Sequence, residues 1–578
     1  MQVFSVQDDG EGRVGKVSLG VDFGTTSGRV LVLDLMTGRE LAIKVIPYRH
    51  GVIDQTLPGT SIPLGPEWAL QHPQDYLDVL HEGIPAAMRA ARIAPSQVVG
   101  MGIDGTTCTV LPVDAQGRPL CFDPAWASNP HAWPKLWKHH AAQRIAERML
   151  QIAHERQESF LLRYGGRISS EGYFPKLIQI FEEAPAVYRE MYRFIEVTDW
   201  IVWYLTGNER RNGCMAGYKA LWSEREGFPE VGYFTSVAPG FTDPQAKLGQ
   251  AFYPLGQVAG WVRRAVAHRL DLSSQVAVAV GNADAPVAVP AVGVSGPSTL
   301  VMVMGTSICH LTVSAEEVPM PGITGVVKDG VLPGWYGYDA GQAAAGDMLD
   351  WFARTAVSAA LEAEAQHAGQ SLYAYLAARA EALRPGESGL LALDWWNGNR
   401  SILADDEVSG VIVGLTLSTT VEAQYRALLE SVAMGTRRIL ENFCQHGIPI
   451  TQLIACGGLA DKNPLLLQIC ADVSGLPITV PDSLEIPARG AALFGAVAAR
   501  KAHGGFDSIA EASNVLAAPV RRRYEPNAEA VRQYDEIYAL YVALYDAFGG
   551  SRRDLLHRLK AIRFSRLQKS GPMAKDQG

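Results

Sequence analysis

A short device appears twice in this 578-residue chain, about half a chain length apart. The first copy runs from Val17 to Asp34 around Phe23-Gly-Thr-Thr-Ser27, and the second from Thr299 to Val313 around Met304-Gly-Thr-Ser307. Each reads as an apolar strand, a turn of glycine and small hydroxyl residues, and a strand returning beside the first, which is a β-hairpin pattern. Such a turn lets phosphate oxygens approach backbone N–H groups closely, with the hydroxyls as further donors. One copy alone is an ordinary hairpin turn. Two copies, each heading half of the chain, point to two similar domains that hold a nucleotide's phosphate chain between them.

Composition narrows the class. With 48% apolar and 19% charged residues, the chain is an ordinary soluble globular protein of two or more domains. A net charge of -9 and the lack of a basic stripe argue against nucleic acid as a partner. The basic run from Ser551 to Lys569 reads as a solvated helix and a frayed end. Seven cysteines (Cys108, Cys121, Cys214, Cys309, Cys444, Cys456, Cys470) are scattered without zinc or dithiol spacing, so reduced thiols are expected. The start of the chain has no apolar signal core. The most apolar stretch, Val276 to Val294, contains Asn282, Asp284, Pro286 and Pro290 and cannot be a membrane span. A cytoplasmic protein with small-molecule partners is expected, with neither nucleic acid nor membrane, and a homodimer is compatible with the chain. Gly10-Glu-Gly-Arg-Val-Gly-Lys16 mimics a nucleotide loop, but polar residues precede it and a strand follows it, so it reads as a leader.

Alternating strand and helix patterns predict an α/β protein of layered domains. The expected division is a flexible leader at 1–15 and an N-terminal domain at 16–272 that carries a mainly helical insertion at about 126–222. A C-terminal domain at 273–520, helices at 521–562 and a disordered tail at 563–578 complete the division.

The chemistry-bearing residues follow from this layout. Asp22 ends the first apolar strand directly before the first turn. A carboxylate beside a triphosphate suits Mg²⁺ bound directly or through water, and turn capping is the competing role. Gly24, Thr25 and Thr26 in the first turn, and Gly305, Thr306 and Ser307 in the second, are the phosphate-turn residues. Asp284 follows a buried strand and lies near the second turn in sequence. It could take the proton of a substrate hydroxyl as that oxygen attacks phosphorus, or it could cap a helix before Ala285-Pro286. Gly457 and Gly458 join a strand to a helix, where a flat adenine could lie on the backbone; a plain turn would use the same residues.

Together these segments resemble the FGGY carbohydrate kinases. Asp22-Phe-Gly-Thr-Thr-Ser-Gly-Arg29, Gly281-Asn-Ala-Asp284, Met304-Gly-Thr-Ser307 and Cys456-Gly-Gly458 occur in that family's order and spacing. Glu171-Gly-Tyr-Phe-Pro-Lys-Leu177 and Ser409-Gly-Val-Ile-Val-Gly-Leu415, leading into Tyr425-Arg-Ala-Leu-Leu-Glu430, agree with it. The resemblance covers roughly residues 17–500. It implies two ribonuclease-H-like domains of the actin/hexokinase type, the N-terminal one sugar-binding and the C-terminal one ATP-binding, with both substrates in the cleft between them. It also implies ATP contacts at Arg29 and Asn463 besides the turn residues, with Mg²⁺ as the accompanying ion.

Within the family the chain is similar to kinases acting on L-ribulose. Trp137-Lys-His-His-Ala-Ala142, Thr198-Asp-Trp-Ile201, Gly213-Cys-Met-Ala-Gly-Tyr-Lys219 through Trp222, and Ala340-Gly-Gln342 before Gly346-Asp347 carry this similarity. It implies sugar contacts at Thr107, Trp137, Lys219, Asp284 and Asp339, and phosphorylation of a ketopentose, L-ribulose foremost, in arabinose catabolism. An indole face suits the apolar side of a sugar, and Lys and carboxylates suit its oxygens. Two positions depart from the pattern. Asp339 stands where a Glu is usual before Ala340, and Gly105 stands where a bulky residue usually follows Asp104. Kinases of D-ribulose, ribitol or xylulose are the nearest alternatives, and a non-catalytic actin-like sugar- or nucleotide-binding protein is the more distant one.

Overall fold

The computed structural model of the protein describes residues 15–249, 251–483 and 485–569. Its framework is two seven-stranded sheets of matching order. In the first, the hairpin Val17–Phe23 with Ser27–Asp34 is antiparallel, and Glu40–Pro47 extends it on the outside, also antiparallel. On its other side Val17–Phe23 pairs in parallel with Val98–Gly105, which pairs in parallel with Ala277–Ala279. Val258–Trp261 closes that edge antiparallel. The second sheet repeats the scheme. The hairpin Thr299–Met304 with Ile308–Ser314 is flanked outside by Tyr336–Gln342 and then Gly325–Lys328. On the other side lie parallel Gln452–Cys456 and Ile478–Pro481, then antiparallel Val520–Tyr524. The duplicated hairpins therefore head two copies of one α/β domain, the ribonuclease-H-like pair expected. The central strands of the first sheet, Val17–Phe23 and Val98–Gly105, are buried along their whole length, as two-sided coverage of parallel strands requires.

Between the sheets lie the helices Asp284–Ala291 and Ile486–Ala499, in one apolar core that also takes Leu31 and Leu33 from the first sheet and Val301 and Ile454 from the second. The second helix sits directly on the strands because they are glycines at the contact. A Cβ at Gly20, Gly102 or Gly100 would lie 1.7, 1.8 or 2.0 Å from the carbonyl oxygen of Ala488, Ala491 or Gly495. The three carbonyls follow helical spacing, so a row of missing side chains makes the groove for one helix face. Buried Arg489 fastens the same helix to the first sheet's edge. Its guanidinium pairs with Glu40 at 2.7 Å and donates to the carbonyls of Gly38 (2.6 Å) and Leu516 (2.9 Å).

The segment boundaries differ from those expected. The first sheet does not end at 272, because Ala277–Ala279 and Asn282–Ala283 both pair with Val98–Gly105. The insertion has a separate core, built on Met149, Tyr173, Phe174 and Leu177 with Tyr233 and Phe234 from beyond its expected end. Its helix Val197–Thr206, however, packs into the core of the first sheet through Trp200, Ile201 and Leu205. The region after 520 opens on a strand rather than a helix, since its polar, arginine-rich sequence is an edge strand facing solvent. The last helix, Arg553–Lys569, runs into the stretch expected to be a tail. Of the expected leader only Gly15 is described; residues 1–14 and 570–578 lie outside the described residues. No described helix is long and apolar enough to cross a membrane.

Candidate active site

Strand register brings three carboxylates together. Asp22 and Asp104 are direct neighbours on parallel strands, and Asn282 aligns with Asp104, so Asp284 follows at the same end of the sheet. Asp22 and Asp104 are buried, and Asp284 is half-buried as the first residue of its helix. The Asp284 carboxylate accepts the N–H of Ala285 at 2.8 Å. Burial, reinforced by the charge of Asp22, pushes the Asp284 carboxyl up to about 7. Asp104 is pushed well above the carboxylate range by burial and then by Asp22, its neighbour across the paired strands. Asp22 is also raised by burial, against the pull of Arg29, whose guanidinium lies 3.2 Å away. Arg29 is shared with Glu485, 3.4 Å away, which immediately precedes the helix Ile486–Ala499. A cation thus joins the acidic cluster to the helix packed between the domains.

The two hydroxyl turns close differently. In the first, Gly24 N–H donates to the Ser27 carbonyl at 3.1 Å. In the second, Gly305 N–H donates to the Ser307 carbonyl at 2.9 Å. The turn carbonyls of Gly305 and Thr306 also accept N–H bonds from Ala345, Gly346 and Asp347 at the start of the helix Gly346–Ala356. Thr26, Gly305 and Thr306 are exposed; Gly24, Thr25 and Ser307 are half-buried. Gly457 holds a left-handed φ of 94°, and a Cβ there would lie 2.6 Å from the Met304 carbonyl, so the strand-to-helix turn is pressed against the second hairpin.

Trp137 links the sugar-side candidates to the first turn. Its indole N–H donates to the Thr25 hydroxyl at 3.1 Å and its backbone N–H to the Thr109 hydroxyl at 3.2 Å. Thr107 lies half-buried in the turn between Thr106 and Thr109, whose hydroxyls are 2.6 Å apart. Buried Lys176, from the helix Tyr173–Glu183, donates to the carbonyls of Cys108 (2.7 Å), Leu136 (3.0 Å) and Trp137 (3.3 Å) and fixes both loops. Lys219, the last residue of the helix Gly213–Lys219, pairs with Glu171 at 3.3 Å. Burial alone would raise Glu171, but Lys219 and then Arg400 draw it down to about 2. Asp339, on Tyr336–Gln342, moves the other way, to about 6, because burial outweighs Arg400 and Lys219. The small residue at 105 suits its surroundings, since a Cβ there would lie 3.1 Å from both the Phe23 carbonyl and Thr198 Cγ2.

The profile for the N-terminal domain of the FGGY family of carbohydrate kinases matches residues 17–223, and that for the C-terminal domain matches residues 300–499. The chain belongs to the FGGY family of carbohydrate kinases. It is 50% identical over 549 residues to a ribulokinase of Halalkalibacterium halodurans, covering 95% of this chain and 98% of that one. A ribulokinase of Mycolicibacterium smegmatis is 43% identical over 550 residues, covering 95% and 96%. Among solved structures, xylulose kinase from Rhodospirillum rubrum aligns with a TM-score of 0.75 at 22% identity, covering 94% of this chain and 100% of that one, which marks a shared fold. As a carbohydrate kinase the protein uses ATP as its phosphate donor.

Two residues expected to touch ATP are already engaged within this kinase. Asn463 caps the helix Pro464–Ser474, accepting the Leu466 N–H at 3.0 Å, while its amide donates to the Tyr425 hydroxyl at 3.3 Å. Its side chain is spent on structure. Arg29 likewise holds Asp22 and Glu485. Three charged residues here carry no self-evident motif: Asp104, Glu485 and Arg400. Only Asp104 left a legible trace, as the acidic end of a second apolar strand that must align with Asp22.

Proposed function

We propose that this kinase transfers the terminal phosphoryl group of ATP to the 5-hydroxyl of L-ribulose. The observation that carries the substrate class is the match to ribulokinases over nearly their whole length, joined here to a cleft with Trp137, Lys219 and Asp339 beside the acidic cluster. Asp284 accepts the hydroxyl proton as the oxygen attacks phosphorus. Its raised proton affinity near neutrality suits a general base. The oxygen–phosphorus bond forms while the bond to ADP breaks. Phosphoryl transfer asks for positioning and charge neutralisation rather than covalent help from the protein. Thr25, Thr26, Gly305, Thr306 and Ser307 hold the phosphates through N–H and hydroxyl donors, and Gly457 and Gly458 receive the adenine. Trp137 packs on the sugar, and Thr107, Lys219 and Asp339 bind its oxygens.

Mg²⁺ fits the acidic cluster. Among the described residues no three His, Cys, Asp or Glu side chains are arranged to enclose a metal. Mg²⁺ nonetheless keeps several waters and takes one or two carboxylates beside a substrate phosphate. Asp22 and Asp104, buried side by side on paired strands, would supply that set. When bound, the ion neutralises phosphate charge.

A phosphorylation assay with ATP across L-ribulose, D-ribulose, xylulose, ribitol and arabinitol tests the substrate. The highest kcat/KM is expected for L-ribulose, and equal or greater activity on another sugar would move the assignment to that sugar. Asp284→Asn tests the base. A loss of roughly 2–4 orders of magnitude in kcat is expected with the fold retained, and near-normal turnover would remove Asp284 from that role.

A further inference from the structure

Arg400 occupies a part of the cleft that no motif marks. Side chains alternate along a strand, so Asp339 and Gly341 share one face of Tyr336–Gln342. At Gly341 that face is bare, and the stem of Arg400 takes the space: a Cβ at Gly341 would lie 3.0 Å from Arg400 Cδ and 3.5 Å from Nη1. The next residue locks the loop to the strand, as Gly341 N–H donates to the Ser401 hydroxyl at 3.1 Å. Arg400 is therefore laid along the strand face that carries Asp339. Glu171, Cys309, Asp339 and Asp406 are its charged or ionisable neighbours. Among the described residues, however, its guanidinium makes no hydrogen bond, and no ion pair within 4 Å.

An unengaged guanidinium on a mobile loop would mean little, but this loop is braced. Asn399 and Asp405 exchange two backbone bonds of 2.8 and 2.9 Å, and the Asn399 side chain accepts the Leu403 N–H at 2.9 Å. Asp405 is held by Arg553 and, at 2.7 Å, by His557, both on the last helix. Asp406 is held by Arg167 of the insertion. Five donors in a rigid fork are thus pre-organised and left unspent at the cleft wall.

Cys309, aligned with Gly341 across the sheet, has Asp339, Arg400, Asp284 and Lys219 as its ionisable neighbours. Arg400 and the base Asp284 thus both lie within electrostatic reach of Cys309. With the 5-hydroxyl at Asp284, the far end of an open five-carbon chain reaches toward Asp339, Lys219 and Arg400. A carboxylate only accepts hydrogen bonds, so it serves a hydroxyl. A ketone oxygen also only accepts, so it needs donors, and Arg400 can do nothing but donate.

On the ketopentose reading proposed above, we infer that Arg400 is a substrate-contacting residue that donates to the carbonyl end of the open-chain sugar. It thereby sets the preference for a 2-ketose over the pentitols that differ from it by two hydrogens at C2.

The test compares kcat/KM for L-ribulose, ribitol and L-arabinitol in the wild type, Arg400→Gln and Arg400→Lys. Arg400→Gln is expected to lower the value for L-ribulose by about 10–100-fold, to change the pentitols by no more than about threefold, and to leave the KM for ATP in place. Arg400→Lys, which keeps a donor but loses the fork, is expected to fall between, and supplies the ratio if the Gln variant does not fold. An equal loss on all three substrates, or no loss on L-ribulose, overturns the assignment. The wild-type measurements judge the substrate separately. A wild type inactive on L-ribulose faults the ketopentose reading, whereas a ketose-to-pentitol ratio untouched by either variant faults Arg400.

Discussion

Glu171 and Lys219, 48 residues apart in sequence, meet at 3.3 Å in the wall of the cleft. Each is only 16% exposed as a side chain, so the pair is shielded from solvent and a lone partner would be costly. Lys219→Met removes the ion-pair partner of Glu171 and is expected to destabilise the fold by about 1–3 kcal/mol, read as a fall of several degrees in Tm. It should also raise the KM for sugar about tenfold or more without moving that for ATP. Adding Glu171→Gln should restore part of the Tm and none of the sugar affinity. Recovery of both would make the pair purely structural.

Activity and stability should respond to pH with opposite signs. Asp284 must be ionised to take a proton, and burial followed by the charge of Asp22 sets its carboxyl at about 7. The kcat/KM for sugar should fall about tenfold per pH unit below 7 and level off above it. Burial also raises Glu196 to about 8, with Asp199 adding to it, and raises Asp199 to about 7. Unfolded, both titrate near 4. The folded state therefore holds their protons more tightly, and this stabilisation is complete below pH 4 and lost as pH rises through 7 to 8. The Tm is expected to be lower at pH 8.5 than at pH 6, and Glu196→Gln should flatten that difference. A Tm that rises over this interval would mean that other groups dominate.

The fold was legible because its signal is repeated and local. The hairpins around Gly24 and Gly305, the strand before Asp104 and the turn at Gly457 each announce themselves in a few neighbouring residues. The boundary at 272 was misread because Ala277–Ala279 returns to the first sheet across a long gap, a pairing that no local pattern encodes. The apolar spacing from Gly490 to Arg500 is legible as a helix, which the structure starts earlier, at Ile486. That this helix would lie on Gly20, Gly100 and Gly102 was not legible, since the matching partners are more than 380 residues away in sequence. The site divides in the same way. Asp22, Asp284 and the turns sit in motifs, whereas Arg400 and Glu485 act through loops whose neighbours only the tertiary structure supplies. Asn463 is the reverse case: its motif was visible, and its side chain is used inside the protein.

That difference has a measurable consequence at Asn463. Its oxygen caps the helix Pro464–Ser474 and its amide meets Tyr425. Asn463→Ala is expected to cost about 1–2 kcal/mol of stability, the usual range for a lost cap, while the KM for ATP changes less than about twofold. A large rise in that KM at unchanged Tm would return Asn463 to the nucleotide site.

The glycine row beneath the helix Ile486–Ala499 gives the sharpest stability test. A methyl at Gly102 would stand 1.8 Å from the Ala491 carbonyl and 2.6 Å from the Ala491 carbonyl carbon, both backbone atoms of a buried helix. Neither can swing aside as a side-chain tip could, so Gly102→Ala must push the helix off the sheet. A loss above about 3 kcal/mol is expected, against no more than about 0.5 kcal/mol for Gly550→Ala, where nothing lies within 4 Å of the new methyl. Displacement of this helix also carries Glu485 away from Arg29, and Arg29 from its 3.4 Å contact. Arg29 then turns wholly to Asp22, and kcat should fall more than the folded fraction does. Calorimetry paired with turnover per folded molecule separates the two effects. A Gly102→Ala protein with unchanged Tm would show that the helix does not rest on the glycine row.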